Sequence, residues 1–304
     1  PLAYPVLLDP AFETKVWSPI VVPSGFSWAG LSYDEVRKNT LLLGPRVDPW
    51  TWDGTTWNRR EIVRGGAYPN TRTFGGLAFD RARGKTFLFG GMSTAGSSTF
   101  ADTWAWDGSS WAQVPTASAP PSRYGHAFVY DPIRKETMMF GGLLPGPSFK
   151  GDTWTWNGTA WTQKSPAVSP PARTFAAAAF DEKCGCTWLF GGYGNAGPLD
   201  DVWSWDGSNW TKANVAAGDR PSARQLPAMA YDVARSKTIL FGGQDTVGSF
   251  SPETWSWDGQ RWKNENPGVS PPALVQHGMA YDRDRQRVLV FGGSTQTNEN
   301  SDTW

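Results

Sequence analysis

The chain has 304 residues, including 19 Trp, 34 Gly and 24 Pro, and its 28 basic side chains balance 28 acidic ones. Neutrality gives no electrostatic reason to expect nucleic acid or an anionic membrane as partner. No run approaches the roughly 20 apolar residues of a membrane-spanning helix, and two cysteines cannot staple a secreted miniprotein.

The N-terminal stretch begins Pro1-Leu2-Ala3-Tyr4-Pro5, without the basic and apolar regions of a signal peptide. A mature secreted chain lacks them too, so the compartment stays open, with an extracellular or periplasmic location favoured. Thr14-Lys15-Val16-Trp17-Ser18-Pro19 reads as a Trp-bearing strand. From about Phe26 the chain repeats itself. A degenerate Leu43-Gly44-Pro45 is followed by Phe-Gly-Gly beginning at Phe89, Phe140, Phe190, Phe241 and Phe291, in steps of 51, 50, 51 and 50 residues. A second marker, Trp-x-Trp-Asp/Asn-Gly, begins at Trp50, Trp104, Trp154, Trp203 and Trp255, and each copy has a further Trp three residues after its Gly.

Each unit has a physical reading. Two apolar runs flank an Asp-headed turn, as in Ala127–Tyr130 before Asp131, and predict a pair of strands. Trp-x-Trp puts two indoles on one face of a third strand, because strands repeat every two residues. Asp-Gly or Asn-Gly supplies a tight hairpin into a fourth. Four antiparallel strands in about 50 residues make one propeller blade, which buries its faces only by stacking on neighbours. The sixth unit stops at Asp302-Thr303-Trp304, so the predicted outer strand of the last blade is the 14–19 segment. Cys184 and Cys186, flanking Gly185, read as two free thiols in a hairpin turn, without the further soft ligands a metal needs.

The glycine pairs, the Trp of the third strand and the period resemble the kelch repeat. The Trp-x-Trp-Asp-Gly-x-x-Trp form is similar to bacterial members. The expectation is an all-β, six-bladed kelch-type β-propeller with four-stranded antiparallel blades. It forms one domain over 1–304, closed by an N-terminal strand in the last blade, with 1–19 as the closing segment. The resemblance implies that the loops before strand one and between strands two and three share one face around the channel. Those loops are about 91–101, 142–151, 192–200, 243–252 and 293–301, and they differ from one another, as functional loops on a repeat scaffold do.

Four arginines, Arg72, Arg123, Arg173 and Arg224, precede strand one in adjacent blades, where blades one and six have Phe26 and Leu274. They suit recognition of anionic groups, and the resemblance implies acidic peptides. Yet Asp48, Asp102, Asp152, Asp201, Glu253 and Asp302 precede strand three in every blade, so pairing within the scaffold competes with ligand binding. His126 and His277 occupy equivalent positions in opposed blades and, with Asp245, are the candidate catalytic residues. Trp28, Tyr124 and Tyr193 are candidate stacking residues beside the arginines. Hydrolase, phosphate-loop and zinc-helix motifs are absent from the sequence. The first reading is a monomeric binding module for a glycan, a peptide or a small anionic ligand, without nucleic-acid or membrane partners. The alternative is a hydrolase or lyase, with or without a metal, at the channel mouth; no cofactor or metal is specified.

Overall fold

A computed structural model describes residues 20–21, 30–44, 48–61, 66–146, 148–216 and 218–304. Among them there is no helix, and six four-stranded antiparallel sheets form the blades. Blade 1 comprises Gly30–Asp34, Asn39–Leu43, Trp50–Trp52 and Trp57–Arg59. Blade 2 comprises Gly76–Asp80, Lys85–Phe89, Thr103–Trp106 and Trp111–Val114. Blades 3, 4 and 5 repeat the order from Ala127–Asp131, Ala177–Asp181 and Ala228–Asp232, their first and innermost strands. Blade 6 joins Gly278–Asp282, Arg287–Phe291 and Asp302–Thr303 to Ile20–Val21 from the other end of the chain. Each innermost strand packs on the next, and that of blade 6 packs on that of blade 1.

Closure therefore involves an N-terminal strand, with Ile20 opposite Thr303 and Val21 opposite Asp302. The segment 14–19 assigned to this role, together with Phe26 and Trp28, lies outside the described residues. The ring is also shut by side chains. Trp57 lies 4.8 Å from Phe291 and donates its indole N–H to Thr303 Oγ1 at 2.8 Å.

The repeated residues meet at the seams between blades. The Phe of Phe-Gly-Gly packs on the outer-strand Trp of the next blade, as in Phe89–Trp161, Phe140–Trp210 and Phe190–Trp262, with centroids 4.7, 4.9 and 5.3 Å apart. The second Trp of each Trp-x-Trp, such as Trp156, Trp205 and Trp257, is fully buried. Burial of such rings contributes about 25 cal/mol per Å² of apolar area removed from water. The glycine pair has a separate role. The N–H of its second member donates to a backbone carbonyl of the next blade: Gly91 to Arg123, Gly142 to Arg173 and Gly192 to Arg224, at 2.8, 2.8 and 2.9 Å.

The opposite end of the ring is tied by the turns between strands one and two. In five blades the turn aspartate pairs with the arginine three residues on: Asp34–Arg37, Asp80–Arg83, Asp131–Arg134, Asp232–Arg235 and Asp282–Arg285. The same guanidinium reaches a turn carbonyl of the next blade, as in Arg83 to Lys135 and Arg134 to Gly185. It also lies over the hairpin glycine of that blade. A Cβ on Gly54, Gly108, Gly158 or Gly207 would overlap Arg285, Arg37, Arg83 or Arg134. The Asp/Asn-Gly marker is thus required both for its turn conformation and for this overlying cation.

Blade 4 departs from the pattern, with Cys184 where the others have arginine. Cys184 and Cys186 are joined in a disulfide, not left as free thiols. The turn brings their Cα atoms to 5.3 Å, within the usual bridging range, which the one-residue spacing did not reveal. The Asp181 carboxylate is served by Trp188 Nε1 at 3.0 Å, and Gly259 of blade 5 has only Trp188 nearby, 4.0 Å from where a Cβ would stand.

This contrast yields a prediction. Gly158 and Gly259 have φ of 93° and 99°, so alanine incurs similar backbone strain at both. Only Gly158→Ala also collides with a guanidinium, and it should cost about 1–3 kcal/mol more than Gly259→Ala in urea unfolding. Equal losses would show that the overlying arginine does not matter.

Candidate functional site

The four arginines before strand one are scaffold residues by position. Arg72, Arg123, Arg173 and Arg224 are 4, 0, 1 and 1% exposed. Arg123 shows the arrangement: Nη1 and Nη2 reach Asp152 at 2.6 and 2.9 Å, Nη1 also donates to Gly141 O, and Nε donates to Pro121 O. Arg72 and Arg173 hold Asp102 and Asp201 in the same fork, and Arg224 pairs with Glu253. The first Trp of each Trp-x-Trp completes the unit, since Trp104, Trp154 and Trp203 donate to the same three aspartates at 2.6, 2.7 and 2.7 Å. Burial alone would raise the pKa of these carboxyls. The hydrogen bonds and charge of the arginines outweigh it and hold them below the ordinary range. Blade 6 is the control. It has the buried Leu274 in place of arginine, and burial there raises the pKa of Asp302. The sequence expectation that these guanidinium groups face a ligand is corrected accordingly: they are sealed inside the blades with nearly all their donors engaged.

His126 and His277 are buried, 8 and 7% exposed. Each is wedged into a seam: His126 lies 5.6 Å from Phe89 and 5.9 Å from Phe128, and His277 lies 5.3 Å from Phe241. Burial drives their pKa values down to about 3 and about 4, with the nearby Phe241 backbone only partly offsetting this for His277. Among the described residues, neither nitrogen of His126 has a hydrogen-bond partner. Both border a cavity of about 160 Å³ near the channel mouth, together with Gln276. Asp245 caps its own loop, accepting from the N–H groups of Val247 and Ser249 at 2.9 and 2.8 Å. The three residues grouped as catalytic candidates thus have separate local duties. Among the described residues no three His, Cys, Asp or Glu side chains converge as metal ligands.

The mouth is built from backbone. Phe74, Gly125, Phe175, Leu226 and Gln276 all have positive φ, between 56° and 66°. An N–H to carbonyl chain runs around them, from Leu226 to Phe175 to Gly125 to Phe74, at 3.0, 2.7 and 3.0 Å. Gly125 is required there, because a Cβ would stand 2.6 Å from the Phe175 ring. Phe74 and Phe175 meet across that gap at 4.8 Å, and Tyr124 lies 6.0 Å from each.

Beyond this rim the long loops fold back as small hairpins on the arginine-bearing segments. Met92–Ser93 pairs with Arg72–Thr73, and Tyr193–Gly194 lies between Arg173–Thr174 and Gly197–Pro198. Blades 3 and 4 bring Phe149 within 6.0 Å of Tyr193, which is 36% exposed. Blades 5 and 6 present amides: Gln225 Nε2 donates to Gln244 Oε1 at 2.9 Å, and Gln296 Nε2 donates to Gly248 O at 3.1 Å. The mouth is therefore aromatic on one side and amide-rich on the other. Trp28 lies outside the described residues.

The far end of the channel is spanned by ion pairs. Arg81 bridges Glu35 and Glu182 at 2.8 and 2.9 Å, and Arg283 bridges Glu182 and Glu35 at 2.6 and 3.7 Å. The four lie in blades 1, 2, 4 and 6 and line a cavity of about 240 Å³. Sequence reasoning missed this lattice, although its signal was present: each member directly follows a turn aspartate, and the signs alternate.

The architecture defines a β-propeller with one loop-rich mouth and one end spanned by ion pairs. Residues 76–267 match the KLHDC2/KLHL20/DRC7 Kelch-repeats domain, and the chain belongs to the kelch-repeat family. Its structure is similar to one described as "Structure of YjhT", with a TM-score of 0.73 and 16% identity over 93% of this chain and 95% of that one. At that identity the likeness concerns the fold. No curated protein matches the chain. A kelch propeller is a protein-interaction or ligand-binding module, and among the described residues no helix is long and apolar enough to cross a membrane.

Two predictions concern stability. Arg123→Ala leaves Asp152 without its counter-charge and should cost about 3–5 kcal/mol in chemical unfolding; a loss under 1 kcal/mol would mean the pair is dispensable. The histidines bind protons in the unfolded chain below about pH 6.5 but resist them when folded. Their contribution is complete above that pH and falls as the pH drops toward 4 and then 3. Each adds up to about 1.4 kcal/mol per pH unit to the slope. Unfolding of His126→Gln/His277→Gln should therefore be flatter between pH 6.5 and 4.5 than that of the parent.

Proposed function

We propose that the propeller binds a neutral, hydroxyl-rich ligand, a glycan, across its mouth. The supporting observation is the division of that face between Phe74, Tyr124, Phe175, Phe149 and Tyr193 on one side and Gln225, Gln244, Gln276 and Gln296 on the other. Aromatic faces stack on the apolar side of a sugar ring. Amides, each with donor and acceptor capacity, match hydroxyls that are both. An acidic peptide draws less support, because the arginines that would recognise it are buried and ion-paired.

A hydrolase or lyase using His126, His277 and Asp245 also draws less support, given the seam positions of the histidines and the loop-capping role of Asp245. Glycan-array screening followed by titration calorimetry tests the reading. Tyr193→Ala and Tyr124→Ala should each weaken the selected glycan about two- to tenfold, the scale of a lost stacking contact of roughly 0.5–1.5 kcal/mol, without lowering the thermal midpoint. Retained affinity in both variants, or selection of acidic peptides over glycans, would overturn it.

A further inference from the structure

At the other end of the ring, the Cys184–Cys186 bridge has no evident structural task. In the chain-entropy description a disulfide stabilises with the logarithm of the loop it closes, least for the shortest, and this one spans a single residue, Gly185. Nor does the turn need it. The residue aligned with Gly185 is left-handed in every blade: Lys38, Gly84, Lys135, Ser236 and Gln286 have φ between 52° and 56° or, for Gly84, 61°, against 64° for Gly185. Five copies of the turn form with no disulfide. The two sulfurs also differ in access: Cys184 is exposed at the tip, whereas Cys186 is buried at 8%. The turn keeps the guanidinium of the preceding blade, with Arg134 Nη1 donating to Gly185 O at 3.1 Å; the arginine that Cys184 replaces is the one that would reach blade 5.

We propose that Cys184–Cys186 is a reversible thiol–disulfide exchange site for thiol-bearing molecules. An incoming thiolate attacks Cys184 Sγ, the sulfur of the exposed residue of the pair. The Cys184–Cys186 bond breaks, the pair leaves on Cys186 Sγ, and a mixed disulfide stands on Cys184. A second thiolate, from the same partner or another molecule, attacks the partner sulfur of that mixed disulfide and releases Cys184 as thiolate. Two electrons pass to the protein, two partner thiols become one disulfide, and no further oxidant enters. Run backwards, the dithiol reduces a partner disulfide. The site lies on the turn face, away from the mouth, and does not depend on what the mouth binds.

Glutathione is the probe. The folded protein is incubated in glutathione buffers of graded ratio, quenched in acid, alkylated and read by mass spectrometry. Both cysteines should become alkylated at reducing ratios and re-form the bridge at oxidising ones. The thermal midpoint should fall by no more than about 4 °C on reduction. In Cys186→Ser, Cys184 should capture glutathione at least tenfold faster than Cys186 does in Cys184→Ser. A bridge that resists millimolar glutathione, a midpoint drop larger than about 4 °C, or equal capture rates in the two variants would each overturn the assignment and return the disulfide to a structural role.

Discussion

The ring depends on how closely one blade's backbone can approach the next. The second glycine of Phe-Gly-Gly in blades 2 to 5 donates its N–H to a carbonyl in the following blade. The first glycine lies so near that carbonyl that a Cβ on Gly141 would stand 2.5 Å from Arg173 O, and one on Gly242 the same distance from Leu274 O. Both glycines have positive φ. The absence of a side chain therefore sets the seam spacing, and the spacing decides what else fits. It brings Phe89, Phe140, Phe190 and Phe291 onto the next Trp, and it leaves pockets into which His126 and His277 are wedged beside Gly90 and Gly242.

The arginine–acid–tryptophan units follow from the same approach. Arg123 donates to Gly141 O, so the carbonyl of the glycine pair is itself one wall of the ion-pair site. A charge buried there is tolerable only with a bidentate partner and saturated donors, and Asp152 with Trp154 provides both. This explains why the mouth is nearly free of unpaired guanidinium although four arginines border it in sequence. The glycan proposed above would meet rings and amides there, groups whose interactions survive high salt far better than exposed ion pairs do.

How much of this could be read from the chain depends on whether the physics is local. Strand alternation and the Asp-Gly hairpin act within a few residues, so Trp154-Thr155-Trp156-Asn157-Gly158 was enough to place two strands and their turn. The alternative of arginine–acid pairing was visible because Arg123 and Asp152 recur as a pair from blade to blade. Choosing between it and a ligand role needed burial, which no spacing reveals. The charge lattice was hidden for a different reason. Arg81 and Glu182 are about two blades apart in sequence and meet only because the ring brings opposite turns to one axis. The small hairpins of the mouth were hidden because their pairing partners are two-residue segments such as Arg72–Thr73, too short for a periodic pattern to register.

A repeat chain also permits an inference that a chain without repeats does not. Six solutions to one packing problem stand side by side, so a side chain that recurs is accounted for by the seam, and one that departs is free of that duty. Departures are not uniform here. Blade 4 replaces the turn arginine with Cys184, and it replaces the threonine that receives an indole N–H elsewhere with Val202. The latter leaves Trp262 Nε1 without the acceptor that Thr103 and Thr153 provide to Trp161 and Trp210. The ring survives both losses because the seam between blades 4 and 5 keeps two independent ties: the Gly192 to Arg224 hydrogen bond and the Phe190–Trp262 contact. Redundancy of that kind is what allows one turn to exchange a structural cation for a reactive sulfur pair while the strands on either side keep their register.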